Sequence, residues 1–500
     1  MKIFFQICLI FISGYVSAQH DTWYITRGPD TDEVAWAVDV DDSGNVYWAI
    51  DQKDKWPFWY YNVVVHKFDP SGNEIWKSTS WDNGTGFNDI AFLAKVEGNS
   101  LYLGGRTDST ANNNISGDAL LMRYNILDGK LDWAKNITPW PDYGYQEIDG
   151  ICVQPDGIYL TGWTKGQLTD MDFLIQKVDF SGNTIWVNSW DYNQNKKFDG
   201  ANGHMAMDDR YIYTTGHVNR TNILSLDGAG VMASFDKTDG RNQSLVFWDG
   251  FSFDDPLGMT MSSDSMLYIV GYSASYGNGS QVYTKKITRS GEVLWTRLWG
   301  GSGTEDCRSV ATDGDSIVYV VGATGSYGHG GKDVFVLKYD VSGTLLDSLI
   351  WGGAYDETAK DVVFHEGYLF ITGETKSFGN ALITGDHTKT DGLLLKIDGR
   401  RMRAPDVLIN DIAELKGENH PNITAFPNPF THNFILKTDF SLINASLYFF
   451  NLTGQYVRRT DHLSGNSILV EKEDLVPGLY FFRLMEGMDE LATGKIVLSE

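Results

Sequence analysis

Two sets of side chains in this 500-residue sequence have the types and spacing to do chemistry. The first is a series of acids at a regular interval: Asp32, Asp89, Asp149, Asp199, Asp255, Asp306 and Glu357. Brought to one place, such carboxylates can hold a cation through oxygen ligands, calcium being the ion that suits them. They can also divide into a protonated acid and an ionised partner, the arrangement that cleaves glycosidic bonds. The second set is the run Trp56-Pro57-Phe58-Trp59-Tyr60-Tyr61, which has no counterpart elsewhere in the chain. Trp56, Phe58, Trp59, Tyr60 and Tyr61 offer flat apolar faces with polar edges, suited to stacking on a sugar ring or an aromatic partner. Both sets have plainer accounts. An acid that recurs in phase can accept backbone N–H bonds in its own turn, and this is the favoured expectation, because catalysis needs unlike groups. The aromatic run can pack over a neighbouring loop.

Other chemistry is absent from the sequence. No Cys-x-x-Cys, His-Glu-x-x-His, Gly-x-Ser-x-Gly or phosphate-loop pattern occurs. Asp39-x-Asp41-x-Ser43-Gly44 opens like a calcium loop, but its twelfth position is Ile50 where a bidentate Glu is required. No catalytic residue, protein metal site or cofactor is therefore expected, with calcium at the acidic ring left open. A binding or scaffold protein is favoured over an enzyme, and the alternative is a hydrolase or lyase acting on polysaccharide. The formal charge of −25 opposes phosphate-bearing partners, so neither nucleic acid nor an anionic membrane is expected.

The elements that must position these residues come from a repeat. Fifty-three glycines against 12 prolines, with 16 Trp and 25 Tyr, point to many short strands and tight turns, an all-β chain. A short apolar strand, usually ending in glycine, recurs seven times with its aromatic at Tyr47, Tyr102, Tyr159, Tyr213, Tyr268, Tyr319 and Phe370. Each period holds four strand candidates, which is a propeller blade. After Asp398 the seventh repeat lacks its fourth strand, and Trp23-Tyr24-Ile25-Thr26-Arg27 near the N-terminus supplies one. A seven-bladed propeller over 19–402, closed by that strand, is expected. Six tryptophans before the inter-blade turns, including Trp190, Trp299 and Trp351, are expected to pack between blades.

The N-terminus, with Lys2, an apolar run to Ile12 and Val16-Ser17-Ala18, reads as a signal peptide over 1–18. No other window is long and apolar enough for a membrane helix, so an integral membrane protein is not expected. Cys152 and Cys307 are expected to remain free thiols. Residues 403–419 read as a linker, and 420–500 as a small immunoglobulin-like β-sandwich.

Trp299-Gly300-Gly301, the segment Asp313 to Gly322, and Lys338-Tyr339-Asp340-Val341-Ser342-Gly343 resemble the bacterial β-propeller repeats of the SBBP type, a family that implies no one activity. At the C-terminus, Pro427-Asn428-Pro429, Asn451-Leu452-Thr453-Gly454, Pro477-Gly478-Leu479-Tyr480 and Gly494-Lys495 resemble the C-terminal sorting domain of type IX (Por) secretion cargo. That resemblance implies passage through the periplasm and across a Gram-negative outer membrane by the type IX machinery. It further implies a secreted or surface location and removal of the sorting domain. The ligand, a glycan or a protein, is not written in the sequence, nor is the oligomeric state.

Overall fold

The seven repeats fold into seven four-stranded antiparallel sheets, the blades of a β-propeller, and a five-stranded unit follows. The structure, a computed structural model, describes residues 22–28, 31–53, 60–84, 87–111, 114–137, 145–165, 171–191, 200–219, 228–248, 254–273, 280–379, 387–405, 423–426, 430–450, 456–472, 475–476, 478–486 and 489–498. The signal peptide, Trp56, Phe58, Trp59, Asp199, Pro427, Asn428, Pro429 and Gly454 lie outside the described residues. Backbone contacts divide the chain into two units, Met1–Val407 and Leu408–Glu500.

Position within a blade decides composition. Second strands are buried over most of their length, Gly157–Thr164 at every residue, since they lie mid-sheet between neighbouring blades, and are apolar with β-branched and aromatic side chains. Fourth strands such as Thr184–Trp190 form the outer edge and are largely exposed. No single core exists. Seven apolar clusters each join two adjacent blades, from Trp48, Phe370 and Leu394 at the closing seam to Tyr268, Cys307 and Phe335 between blades five and six. Trp351 is only 3% exposed, and Trp299 and Trp190 pack on Phe335 and Phe173 with centroids 4.7 and 5.5 Å apart. Cys152 and Cys307 are both free.

A second tryptophan in the fourth strand, absent from blades four and six, ties a blade to the next. Trp76 donates its indole N–H to Ile126 O at 3.1 Å, and its ring lies where Gly129, in the hairpin of blade two, leaves room for it. Trp295 does the same with Val341 O and Gly343. At the seam the donor is Trp23, which bonds Pro70 O at 3.2 Å and packs over Gly72. Trp23–Arg27 pairs antiparallel with Asp391–Asp398, Trp23 opposite Lys396 and Arg27 opposite Gly392. The N-terminal strand thus completes blade seven and closes the ring.

Two sequence readings shift. The repeated strand does not end at its glycine: Gly157–Thr164 continues past Gly162, and Tyr211–Asn219 past Gly216. Arg403 to Pro405, read as linker, stay tied to the propeller: Asp398 of blade seven and Arg403 exchange backbone bonds, and Trp351 of blade six donates to Pro405 O.

In the second unit Asn433–Phe450 is one long strand. Its register jumps between Lys437, Leu442 and Ala445 let its first part pair with Ile423–Phe426 and its last part with Gly478–Glu486, while Tyr456–Glu471 follows it throughout. Asn444 takes a positive φ of 57° in that bend, a conformation asparagine tolerates. Both parts close on one core around Phe434, Leu447, Phe449 and Leu484, giving a small immunoglobulin-like sandwich.

Candidate functional site

Each first strand carries a β-bulge at the same place. The register skips one residue between Ala35 and Ala37, Ala91 and Leu93, Ile148 and Gly150, Pro256 and Gly258, Cys307 and Ser309, and Ala359 and Asp361. Blade four has a wider skip, between Ala201 and Met205. The repeat glycine makes the bulge fit. A Cβ at Gly105, Gly162, Gly216, Gly271, Gly322 or Gly373 would overlap the backbone carbonyl of Ile90, Glu147, Gly200, Asp255, Asp306 or Thr358. Blade one carries Ile50 there.

The bulges fix the true phase of the acids. Two positions before each bulge's first partner stand Glu33, Asp89, Gln146, Asp254, Glu305 and Glu357. Of the expected ring only Asp89 and Glu357, among the described residues, hold this place; blades one and six use Glu33 and Glu305. The carboxylates of Glu33, Asp89, Glu305 and Glu357 serve their own turns. Glu357 accepts from Thr375 Oγ1 at 2.8 Å, Ser377 N at 3.0 Å and Gly353 N at 2.6 Å. Glu33 accepts from Thr31, Glu305 from Thr324 and Asp89 from Asn83 N. Burial is the main cause that raises Asp89 to about 6 and Glu33 to about 9, with Asp391 and Asp32 adding to the second. Asp32, one residue early, pairs instead with Lys53 at 2.9 Å.

The bulge residues themselves do not repeat. Trp36, Phe92, Asp149, Leu257, Arg308 and Lys360, with His204 from the wide bulge of blade four, line a cavity of about 320 Å³ at the axis together with Glu147 and Asp255. The residue after each repeat glycine stands beside this ring: Arg106, Trp163, His217, Tyr272, Ala323 and Glu374, with Asp51 in blade one. Seven blades that solve the packing problem identically therefore present seven different chemistries here.

The ring sorts into arcs. On blades one and two Trp36 meets Phe92 edge to face at 5.5 Å, and Lys360 lies 4.6 Å over Trp36. On blade three the Glu147 carboxylate takes Arg106 at 2.9 Å and the Trp163 indole N–H at 2.6 Å, and Tyr145 stacks on Trp163 at 5.1 Å. Asp149 is beside Glu147, and no donor reaches its buried Oδ2. Burial first, then the Glu147 charge, hold the Asp149 carboxyl well above the ordinary range. On blade five Tyr272 donates to Asp255 at 3.3 Å, and burial together with Asp255 raises the phenol to about 12. On blade six Arg308 holds Asp306 at 3.2 Å, and on blade seven Lys360 holds Glu374 at 3.1 Å. A second cavity of about 260 Å³ adjoins the first, both lined by Leu93 and His204. In it Lys95 pairs with Asp39 at 3.1 Å, and Asp361 accepts from Ser309 Oγ at 2.9 Å.

Such a mouth can stack a ring, donate and accept a proton at one carboxyl pair, and meet hydroxyls with charged groups. Among the described residues no group of three or more His, Cys, Asp or Glu is placed to hold a metal ion. Of the acids singled out in the sequence, Asp149 and Asp255 reach the cavity, and Asp306 reaches it through Arg308. Of the aromatic run, Tyr60 packs on Phe87 at 5.6 Å, and Lys53 lies 5.6 Å over Tyr61. Trp36, Phe92, Arg106, Glu147, His204, Arg308 and Lys360 were missed. Only Arg106 among them carried a signal, since the residue after the repeat glycine changes chemistry from blade to blade.

In the sorting unit, Gly478 pairs with Leu498 and Lys495 with Phe481 across the last two strands. No helix among the described residues is long and apolar enough to cross a membrane. No curated protein matches the chain. Three solved structures are similar to it at low identity. A quinohemoprotein alcohol dehydrogenase from Pseudomonas putida is 12% identical with a TM-score of 0.41, covering 75% of each chain. A protein of unknown function from Dyadobacter fermentans is 9% identical with a TM-score of 0.42, covering 75% of this chain and 98% of that one. The β-propeller domain of the Trilobed protease from Pyrococcus furiosus is 10% identical with a TM-score of 0.39, covering 69% and 91%. Residues 424–499 match the family described as secretion system C-terminal sorting domain. The chain is thus a β-propeller carrying the sorting tail of type IX secretion, which directs it to the cell surface or the extracellular space.

Proposed function

We propose that this exported propeller is a binding protein whose ligand enters the channel mouth. One observation carries the reading: the bulge ring is the level at which the blades cease to be alike, and it opens into a cavity. Trp36 and Phe92 form the apolar wall, and Glu147, Asp149, Asp255 and Arg308 supply the polar contacts. The aromatic run Trp56 to Tyr61 serves as an outer platform. The repeats are read as SBBP-type, the signal peptide is removed after Ala18, and the folded protein crosses a Gram-negative outer membrane with its sorting domain then cut off. The second reading, a hydrolase or lyase acting on polysaccharide, is favoured by the Glu147–Asp149 carboxyl pair, which can act as acid and base.

The test is a binding screen of the full chain against glycans and matrix proteins, with and without calcium, followed by Trp36→Ala. Loss of affinity by about tenfold or more at an unchanged melting temperature is the expected result. A ligand whose affinity ignores Trp36→Ala would refute the site, and turnover of a bound glycan would favour the enzyme.

A further inference from the structure

We infer that a hollow between blades four and five, outside the central channel, is a binding site for a neutral oligosaccharide. It is separate from the channel mouth and does not rest on that reading, since no residue lines both. Its origin is a gap in the repeat. Between the third and fourth strands of a blade one cross-strand pair recurs: Lys67 opposite Trp76, Arg123 opposite Trp133, Lys177 opposite Trp186, Lys286 opposite Trp295 and Lys396 opposite Trp23. At three seams both members donate to one carbonyl in the next blade's hairpin, Ile126 O, Val341 O or Pro70 O. Blade six keeps the cation, and Lys338 still bonds Gly399 O at 3.0 Å. Blade four keeps neither. Ser234 stands opposite Ser244 there, and the two hydroxyls bond each other at 2.6 Å.

Space that the larger pair fills elsewhere is open at this seam. Val246 packs on Gly291 of the blade-five hairpin, where other blades place the indole, yet a cavity of about 760 Å³ remains, lined by both serines. That size suits a ligand of a few rings. Charge then narrows the class. Asp208, Asp209 and Asp264 line the hollow with Arg210 and Arg289. Arg289 holds Asp208 at 2.8 Å and Lys286 reaches Asp264 at 3.9 Å, so the charges balance and favour neither sign of ion. The rest of the polar lining is hydroxyl and amide, Ser244 and Gln243 from blade four facing Thr288 and Ser290 from blade five. A hydroxyl both donates and accepts, and a neutral sugar chain, with hydroxyls around every ring, does the same. Arg210 already lies 5.0 Å over the Tyr211 ring, so hydrogen bonds hold the ligand more than stacking does. A lone indole would take the place of the lost tryptophan and leave most of these groups unmet.

Calorimetric titration of the full chain tests this with trimers of glucose, mannose and galactose, a galacturonate trimer, a glucosamine trimer and a neutral tryptophan-bearing peptide. At least one neutral trimer is expected to bind, and both charged trimers to bind more weakly by about tenfold or more. Ser234→Lys combined with Ser244→Trp restores the pair of the other blades. That filled variant is expected to weaken the sugar by about tenfold or more at an equal or higher melting temperature. Gln243 is exposed at the rim, so Gln243→Ala keeps the test decisive if the filled variant does not fold, and it is expected to weaken binding by about threefold or more. The inference is overturned if no neutral trimer binds, if a charged trimer or the peptide binds as tightly, if sugar binding survives in the folded filled variant, or if Gln243→Ala binds normally. Trp36→Ala is expected to leave this sugar bound. Its loss there would assign the sugar to the channel mouth and remove the second site.

Discussion

Glu33 shows how one side chain in this ring is specified by its place rather than by its charge. It is 1% exposed, accepts from Thr31 and faces Asp391 across the seam, and burial raises its carboxyl to about 9. In blade three the same place holds Gln146, which is fully buried, so the site accepts an amide of the same length. A carboxyl raised in the folded state binds its proton more tightly there than in the unfolded chain. Its contribution to stability is complete below the unfolded value of 4.5 and is lost as pH rises toward about 9. Glu33→Gln removes that loss. The variant should therefore be more stable than the parent at pH 8, by roughly 1 kcal/mol or more, with the two converging near pH 4. Urea unfolding at the two pH values checks this, and a difference that grows on acidification would contradict it.

The same contrast between repeated place and varied chemistry governs the strands, and it explains what could be read from the sequence. The seven second strands, six with Tyr and one with Phe370, were legible because a buried mid-sheet strand admits few residue types and recurs at a fixed period. The closing strand was legible because Trp23 meets the same demand as Trp76 and Trp295. The bulge was not, because an extra residue in one strand leaves no mark on the apolar alternation and shifts the phase of everything before it; hence Asp32 and Asp306 were aligned one residue away from Glu33 and Glu305. The repeat glycine is its trace: it lies within a strand, opposite the bulge, where a side chain would meet a carbonyl. Gly373→Ala sets a Cβ against Thr358 O, whereas Gly325, with Thr304 O 3.4 Å from an added Cβ, has room. Gly373→Ala is expected to cost about 2–3 kcal/mol and Gly325→Ala less than about 0.5 kcal/mol. Equal effects in chemical denaturation would show that the glycine is not what permits the bulge.

At the scale of the whole molecule a ring of blades has no central core, and its stability resides in seven interfaces that must all be present. Six of them join blades that are continuous in sequence; the seventh depends on a strand from the other end of the chain. Trp23–Arg27 covers the edge of Asp391–Asp398, where Leu393, Leu394 and Leu395 are at most 1% exposed. Trp23 and Ile25 fill the seam with Trp48 and Phe370, and Trp23 and Lys396 both bond Pro70 O on blade one. Losing the strand removes five backbone pairings, uncovers an apolar edge and takes Trp23 and Ile25 out of the seam between blades seven and one. A chain that begins at Thr22 keeps the strand, while one that begins at Asp32 lacks it. The second should melt lower than the first by about 10 °C or more, and should associate through the bared edge as concentration rises. Calorimetry and sedimentation on the two truncations separate the outcomes: matching midpoints would mean that the propeller closes without its N-terminal strand.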